Sequence, residues 1–409
     1  MSTAQIIFVV VYFGLAIYAF QVYKRILYNT LIKVLYFFAV ISAWIFWVMQ
    51  QRQYVDEIKP MNYDLSLGVL GSFFVLVFIA SCFSLIDDVY RLFLLLRNWL
   101  LNRKVNPTPY YPERRRFIAG VAIATSFAPF SVMMLGLKKS SKYNFKVHSY
   151  DLEFPDLPQA FDNFKIAHIS DFHAGSFDDP EEVERGLKMV QRLEADVVLF
   201  TGDMVNNLSD EAEKYIDMFY RISAKYGKFS VLGNHDYGDY YPHKTDEQQQ
   251  QDVDQLIDFQ SKMGFKVLLD ETVTFEKEEH KMHVVGVQNW GTGRFPKKGD
   301  LQKASEKTAD DDFKILMSHD PSHWEAEVLN NQKKFQLTLS GHTHGFQIGI
   351  EIPGLKWSPI QYRYKQWAGL YSRNQNHLIV NRGFGHLGYP GRYGIWPEIG
   401  LITLKSKLS

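Results

Sequence analysis

Cysteine is almost absent. The 409 residues contain one, Cys82, and it lies in an apolar run. That excludes a disulfide framework and a thiolate-built structural zinc site. It leaves the compartment open, because exported bacterial domains often lack cysteine. Net charge is absent too. Lys and Arg number 45 against 45 Asp and Glu, so nothing calls for a nucleic-acid partner. Low-complexity tracts and internal repeats are also missing. The hydrophobic share of 46% looks ordinary, but it averages a membrane-like first third with a charge-rich remainder.

In that first third, charge is almost missing from four apolar runs, 5–22, 31–49, 65–86 and 117–137, where Lys33 is the one charged residue. Each is about long enough to cross a ~30 Å hydrocarbon core. The third is expected to continue as an amphipathic helix through Arg91 and Arg97 toward Leu101. Pro129 interrupts the fourth, and a kinked spanning helix accommodates it because neighbouring helices satisfy the freed carbonyls. Spans so poor in ionisable residues argue for an anchor, or a lipid- or partner-facing bundle, rather than a conduit. Lys24, Arg25 and Lys33 follow the first run. The second loop mixes Arg52 and Lys59 with Asp56, Glu57 and Asp64. Arg91, Arg97, Arg103, Lys104, Arg114, Arg115 and Arg116 make the third loop strongly basic. By the positive-inside rule the first and third connections are cytoplasmic, and everything after the fourth span lies outside. Lys138, Lys139 and Lys142 pull the other way. Arg114-Arg115-Arg116-Phe117-Ile118 reads as a basic helix cap or as a twin-arginine export signal, and both export the C-terminal part.

From 143 to 409 the pattern predicts one α/β domain. Helices are expected over 179–193, 209–224 and 248–263. The runs 265–269 and 283–287, with no long helix between them, suggest an antiparallel portion. The last strand is expected over 399–404.

Five short stretches organise this domain. Each follows a β-branched or aromatic run that reads as a buried strand. Asp171-Phe172-His173 follows 164–169, Gly202-Asp203 follows 197–200, and Gly233-Asn234-His235-Asp236 follows 229–232. Ser318-His319-Asp320 follows 313–317, and Gly341-His342-Thr343-His344 follows 337–340. Ligands of open α/β sheets bind beyond the carboxyl ends of strands, so five such ends predict one site. Carboxylates and imidazoles suit Mn, Fe or Zn. Asp171 and His173, two apart, share a face in a strand, as do His342 and His344, although a loop can send the latter pair to different ions. Asp203 has two oxygens and can bridge, while Asn234 offers a neutral carbonyl oxygen to a second ion. Gly202, Gly233 and Gly341 let the backbone turn sharply. Two ions about 3.5–4 Å apart activate a bridging water and clamp phosphate oxygens for in-line attack on phosphorus. His235 is placed to protonate the leaving oxygen, with Asp236 orienting it.

This set, in order and spacing over residues 160–345, resembles the calcineurin-like metallophosphoesterase superfamily. Val380-Asn381-Arg382-Gly383-Phe384-Gly385 with Pro397-Glu398-Ile399 is similar to its YkuE/YaeI-like branch of membrane-linked or exported enzymes. The resemblance implies two mixed β-sheets packed face to face and flanked by helices, and two divalent metal ions. It implies Asp171, His173, Asp203 and His344 on one ion, Asp203, Asn234, His319 and His342 on the other, and His235 as the catalytic histidine. One departure concerns the pocket. The branch has Gly-Gly-Gln after the last ligand where this chain has Gly345-Phe346-Gln347, which makes Phe346 a candidate substrate contact. Four spans also exceed the single anchor expected of the branch.

Outside the motifs, His168 reads as a core residue or a support for the site. His148, His243, His280, His283, His323 and His377 read as surface or structural. Arg382, His386 and Arg392, in a glycine-rich tail, are candidate contacts to a substrate phosphate or diphosphate, since arginine forks suit phosphate oxygens; a packed surface loop is the alternative. The stretch 346–371, with Trp357, Trp367, Lys356, Arg363 and Lys365, reads either as a lipid-headgroup surface or as a hairpin packed on the core.

The expectation is a membrane-anchored phosphoesterase of the bacterial cytoplasmic membrane, with its catalytic domain on the outer, periplasmic side. It hydrolyses phosphoester or pyrophosphate bonds by attack of a metal-bridging hydroxide. A lipid-linked substrate and membrane lipid are its expected partners, and nucleic acid is not. The alternatives are a phosphoprotein or nucleotide phosphatase tethered to the membrane, or a metal-binding sensor or assembly module without turnover.

Overall fold

The computed structural model describes residues 3–24, 30–53, 63–101, 112–242, 245–295 and 297–407. Arg25, Asp56, Glu57, Lys59, Arg103, Lys104 and His243 lie outside the described residues.

The chain divides into two compact units, the first built from residues 1–138 with 389–391 and the second from the rest. The first holds four helices long and apolar enough to cross a membrane: α1 (Thr3–Tyr23), α2 (Thr30–Gln53), α3 (Tyr63–Leu100) and α4 (Pro112–Gly136). Helix α3 is continuous over both the third apolar run and its amphipathic extension, and Pro129 lies inside α4. Tyr12, Ala16 and Ala19 of α1 pack with Val40 of α2 and Leu70, Val77 and Ala80 of α3. The outer faces remain apolar, with Phe38 and Phe117 largely exposed; such a surface is at rest in hydrocarbon. Arg114 and Arg115 both close on the buried Asp87 of α3, at 2.5 and 3.6 Å.

The second unit contains two six-stranded mixed sheets. The first has the order β1-β14-β2-β3-β4-β5, formed by Lys146–Phe154 (β1), Glu398–Ser406 (β14), Phe164–Ile169 (β2), Val197–Phe200 (β3), Lys228–Ser230 (β4) and Phe265–Val267 (β5). The second has the order β12-β13-β9-β8-β7-β6: Gly369–Arg373 (β12), Asn376–Val380 (β13), Leu337–Ser340 (β9), Lys314–Met317 (β8), His280–Gly286 (β7) and Glu271–Lys277 (β6). A separate two-stranded ribbon pairs Ile350–Ile352 (β10) with Leu355–Trp357 (β11).

Strand alternation builds the layers. Ile166, Val197 and Leu199 face the second sheet and meet Val284, Ile315, Leu339 and Ile379 in one core. Their neighbours Ala167, Val198 and Phe200 face the other way, onto Val183, Leu187 and Val190 of helix Pro180–Gln191 and Leu256 and Phe259 of helix Asp246–Lys262. Val285, Leu316, Leu378 and Val380 cover the far side of the second sheet with Trp324, Val328 and Phe335. This is the expected pair of mixed sheets face to face between helical layers.

Two local expectations need correction. The helix expected over 209–224 is two short ones, Asp210–Glu213 and Ile216–Tyr220. Between them Tyr215 buries its ring against Phe172 and Phe177, and that burial outweighs continuing the helix. Of the two runs expected to lie in an antiparallel portion, 283–287 does so through β7, but 265–269 does not. β5 runs parallel to β4, because helix Asp246–Lys262 supplies the crossover a parallel pair requires. The antiparallel element is the β6–β7 hairpin in the other sheet.

Candidate metal centre

The five stretches converge. Asp171, His173 and His344 form one buried cluster, and Asp203, His319 and His342 form another. Strand parity does not bring Asp171 and His173 together, since β2 ends at Ile169. Both adopt left-handed backbone, as do Asp203, His342 and His344, with φ between 48° and 70°. Non-glycine residues seldom adopt such backbone, which persists only where surrounding structure holds it and concentrates at functional sites.

Two glycines permit this crowding. A Cβ on Gly233 would lie 2.2 Å from Asp203 Oδ1, and one on Gly341 would lie 2.0 Å from Asp171 Oδ2. The His342 amide donates to both Asp171 oxygens at 2.9 and 3.0 Å, tying the end of β2 to the end of β9.

The donor atoms point at one another. His173 Nε2 is 2.9 Å from His344 Nε2, and His344 Nε2 is 3.2 Å from Asp171 Oδ1. In the second cluster His342 Nδ1 lies 2.8 Å from Asn234 Oδ1 and 3.3 Å from His319 Nε2. Asp203 divides its oxygens. Oδ1 accepts the His235 amide at 2.8 Å, while Oδ2 lies 3.0 Å from His319 Nε2 and 3.6 Å from His173 Nε2. One carboxylate oxygen therefore faces both clusters. His319 Nδ1 donates to the Thr201 carbonyl at 2.7 Å, which fixes the tautomer that leaves Nε2 as a donor atom for metal. Tyr240 accepts a hydrogen bond from Asn234 Nδ2 at 2.9 Å and so aims the amide oxygen inward.

The electrostatics fit cations. Burial pushes the His173 and His342 imidazoles down, keeping them neutral and able to ligate. Burial alone would raise the Asp203 carboxyl, but His319 and its other histidine neighbours hold it well below the usual range. Burial would lower His319, yet the Asp203 carboxylate more than reverses this, to about 10. A proton retained there supplies positive charge that Asp171 and Asp203 demand and that bound cations would supply instead. The donor set of carboxylates, imidazoles and one amide oxygen thus suits two divalent ions.

His235 is buried near both clusters. Its Nδ1 donates to the Asn206 carbonyl at 2.7 Å and its ring lies 4.3 Å from that of Tyr240. The expected partnership with Asp236 is not present. The Asp236 carboxylate instead accepts main-chain amides of Gly233, Asp203 and Met204 at 2.7–2.9 Å. It pins two ligand loops together, and the Asn206 carbonyl orients the histidine.

The candidate substrate contacts also need correction. The Arg382 fork is committed to Glu398 and Glu351 and is 2% exposed. Arg392 is fully buried and donates to the carbonyls of Arg382, Gly383 and Gly385. The His386 ring packs beside Phe177, and Phe346 is 52% exposed. None of the four lines the cavity of about 560 Å³ that opens on Asp203, Asn234, His235 and His342. Its walls are Tyr240, Arg294, Phe295, Ile360, Arg363 and Tyr364, with Tyr364 hydroxyl 2.8 Å from His342 Nε2. Sequence reasoning missed these walls. The available signal was the glycine-spaced loop Gly291-Thr292-Gly293-Arg294-Phe295, which follows a strand as the ligand loops do. His168 is buried and bonded to Thr201 at 2.9 Å, supporting the site from behind.

Comparison with known proteins agrees with this geometry. Residues 164–346 match the family described as calcineurin-like phosphoesterase, and residues 2–141 match a probable calcineurin-like phosphoesterase transmembrane domain. The chain thus carries a calcineurin-like metallophosphoesterase domain behind a transmembrane phosphoesterase domain, and it is a metal-dependent phosphoesterase bound to a membrane. The metallophosphoesterase YkuE of Bacillus subtilis is 28% identical over 61% of this chain and 82% of its own length. The metallophosphoesterase Cj0846 of Campylobacter jejuni is 26% identical over 98% of this chain and 97% of its own length. Among solved structures, phosphopantetheinyl hydrolase of Mycobacterium tuberculosis aligns over 55% of this chain and 90% of its own, with 12% identity and a TM-score of 0.33.

Proposed function

We propose that this chain is a membrane-anchored dinuclear-metal hydrolase of phosphoester or pyrophosphate bonds. The observation that carries the reading is Asp203 Oδ2, which faces His319 in one cluster and His173 in the other. In this reading Asp171, His173, Asp203 and His344 hold one ion, and Asp203, Asn234, His319 and His342 hold the second, with Mn, Fe or Zn as candidates. A bound pair would supply activation of a water nucleophile and a clamp on the phosphate oxygens. The chain's own residues do the rest. His235, with Nδ1 fixed on Asn206, turns Nε2 toward the leaving oxygen as general acid. Arg294 and Arg363 on the cavity wall suit anionic oxygens beyond the reacting phosphorus, while Phe295, Ile360 and Tyr364 suit an apolar moiety. A substrate that joins phosphate to an apolar group, such as a lipid-linked phosphoester, matches both. The proposed location is the bacterial cytoplasmic membrane with the catalytic domain on its outer face, from the basic first and third connections.

The test is hydrolysis of an aryl phosphodiester and an aryl phosphomonoester by purified full-length protein with Mn added, beside Asp203→Asn. Turnover that vanishes in the variant supports the reading, and the preferred ester narrows the substrate. Equal turnover in both proteins overturns it.

A further inference from the structure

The β10–β11 ribbon is amphipathic in the wrong sense for a domain in water. Its register sets Ile350 opposite Trp357, Ile352 opposite Leu355, and Glu351 opposite Lys356. Alternation therefore gathers four apolar side chains on one face and the two charged ones on the other. The two charged side chains are tied back to the domain at their tips, with Glu351 half-buried and Lys356 itself exposed. Glu351 accepts from Arg382 Nε at 3.0 Å, and Lys356 crosses the Trp367 ring at 4.7 Å to reach the Ala368 carbonyl. The apolar face turns outward, with Ile350 45%, Ile352 58%, Leu355 49% and Trp357 37% exposed. Phe346 and Tyr362, also exposed, extend the patch along the chain. Trp367, by contrast, is buried and belongs to the support rather than to the patch.

We infer that this face docks on the surface of the lipid bilayer. Three observations favour that occupant. The same chain carries, among the described residues, four helices long and apolar enough to cross a membrane, so a bilayer is at hand. Arg363 and Lys365 follow Tyr362 as exposed cations and complement anionic headgroups. Tryptophan and tyrosine beside lysine and arginine, next to aliphatic residues, is the composition of elements that lie in the membrane interface. A second copy of the chain is a poorer fit. Four side chains, each only about half exposed, fall well short of the ~800 Å² per partner that a stable protein interface buries. Residues 360–364, which follow the ribbon, contribute Ile360, Arg363 and Tyr364 to the cavity wall. Docking therefore brings that wall to headgroup level, a consequence that rests on the phosphoesterase reading; the docking does not.

The test uses full-length protein in vesicles of phosphatidylcholine and phosphatidylglycerol. Cys82→Ser removes the native thiol, and Ile352→Cys or, separately, Leu355→Cys carries a fluorophore. Tyr220→Cys, a site 69% exposed and outside the patch, is the control. Nitroxide-headgroup lipid is the quencher, and bound metal content checks folding. An apolar face of this kind sits ~5–10 Å into the headgroup boundary, so the 352 and 355 labels should quench at least about twofold more than the 220 label. Quenching equal to the control overturns docking. So does unquenched label that crosslinks between protomers, which would assign the face to a second copy. Neither readout depends on turnover, so failure here is distinguishable from failure of the hydrolase reading.

Discussion

Gly341→Ala should disable the centre while leaving the fold in place. The new Cβ would stand 1.9 Å from Ser170 Oγ and 2.0 Å from Asp171 Oδ2, where ordinary contact begins at 3.4 Å. The Asp171 carboxylate must therefore give way by about 1.4 Å, the difference between those figures, or the backbone must move. The backbone is held, because the Gly341 amide donates to the His319 carbonyl at 3.0 Å and the next amide donates to Asp171 itself. Misplacing a group by ~1 Å can cost on the order of 100-fold in rate. The expected result is kcat lower by about that factor, with weaker binding of one ion of the pair. Steady-state kinetics on an aryl phosphate ester, with metal content by mass spectrometry, reads both. Gly71→Ala, where a Cβ meets nothing within 4 Å, serves as the control. A Gly341→Ala protein with full metal content and unchanged kcat would refute the reasoning.

Other consequences can be checked in parallel. His235→Ala should keep both ions and lose about 10²–10⁴ in kcat, the usual worth of a general acid; loss of metal instead would make His235 a ligand. Metal loading should release protons, because Asp203 raises His319 to about 10 and the metal-free imidazole is charged at neutral pH. Calorimetry in buffers of different ionisation enthalpy would show it, and buffer-independent heat would contradict it. Burial alone would raise the Glu398 carboxyl, but Arg382 at 2.5 Å holds it below the ordinary range. A lowered native pKa gives stability that is present above the unfolded value, about 4.3, and drains away as pH falls through the native one. Glu398→Gln should therefore be less stable than wild type by roughly 3–5 kcal/mol at neutral pH. The gap should narrow in acid, and a gap in thermal unfolding that stays constant down to about pH 3 would count against the pair.

The sequence disclosed those features whose cause is local. Each ligand stretch follows a short β-branched or aromatic run, and Val197–Phe200 is apolar on both faces, as a buried strand tolerates. The four helices are equally plain, since uninterrupted apolar residues have no other resting place. What stayed hidden was decided at long range. Arg382 and Arg392 look like phosphate forks in isolation, but Glu398 lies sixteen residues on, and the carbonyls that satisfy Arg392 converge only in the folded tail. Asp236 follows His235 directly, yet the neighbouring loop offers it main-chain amides from Asp203 and Met204. The left-handed backbone of five candidate ligands has no sequence mark, because Asp and His are there for their donor atoms. Arg294 and Phe295 became cavity walls only because their loop follows a strand of the second sheet.

The position of β14 has a consequence for how the protein is made. The domain's last strand lies between β1 and β2, parallel to one and antiparallel to the other. Until the ribosome has delivered residues 398–406, β1 has no strand partner among the described residues and β2 has a single neighbour. The membrane helices are synthesised first and can insert while the sheet beside the metal loops is still open. The nascent chain is thus bilayer-bound before its hydrolase can close, and a premature stop before β14 would leave an anchored, unfinished domain for proteases to find.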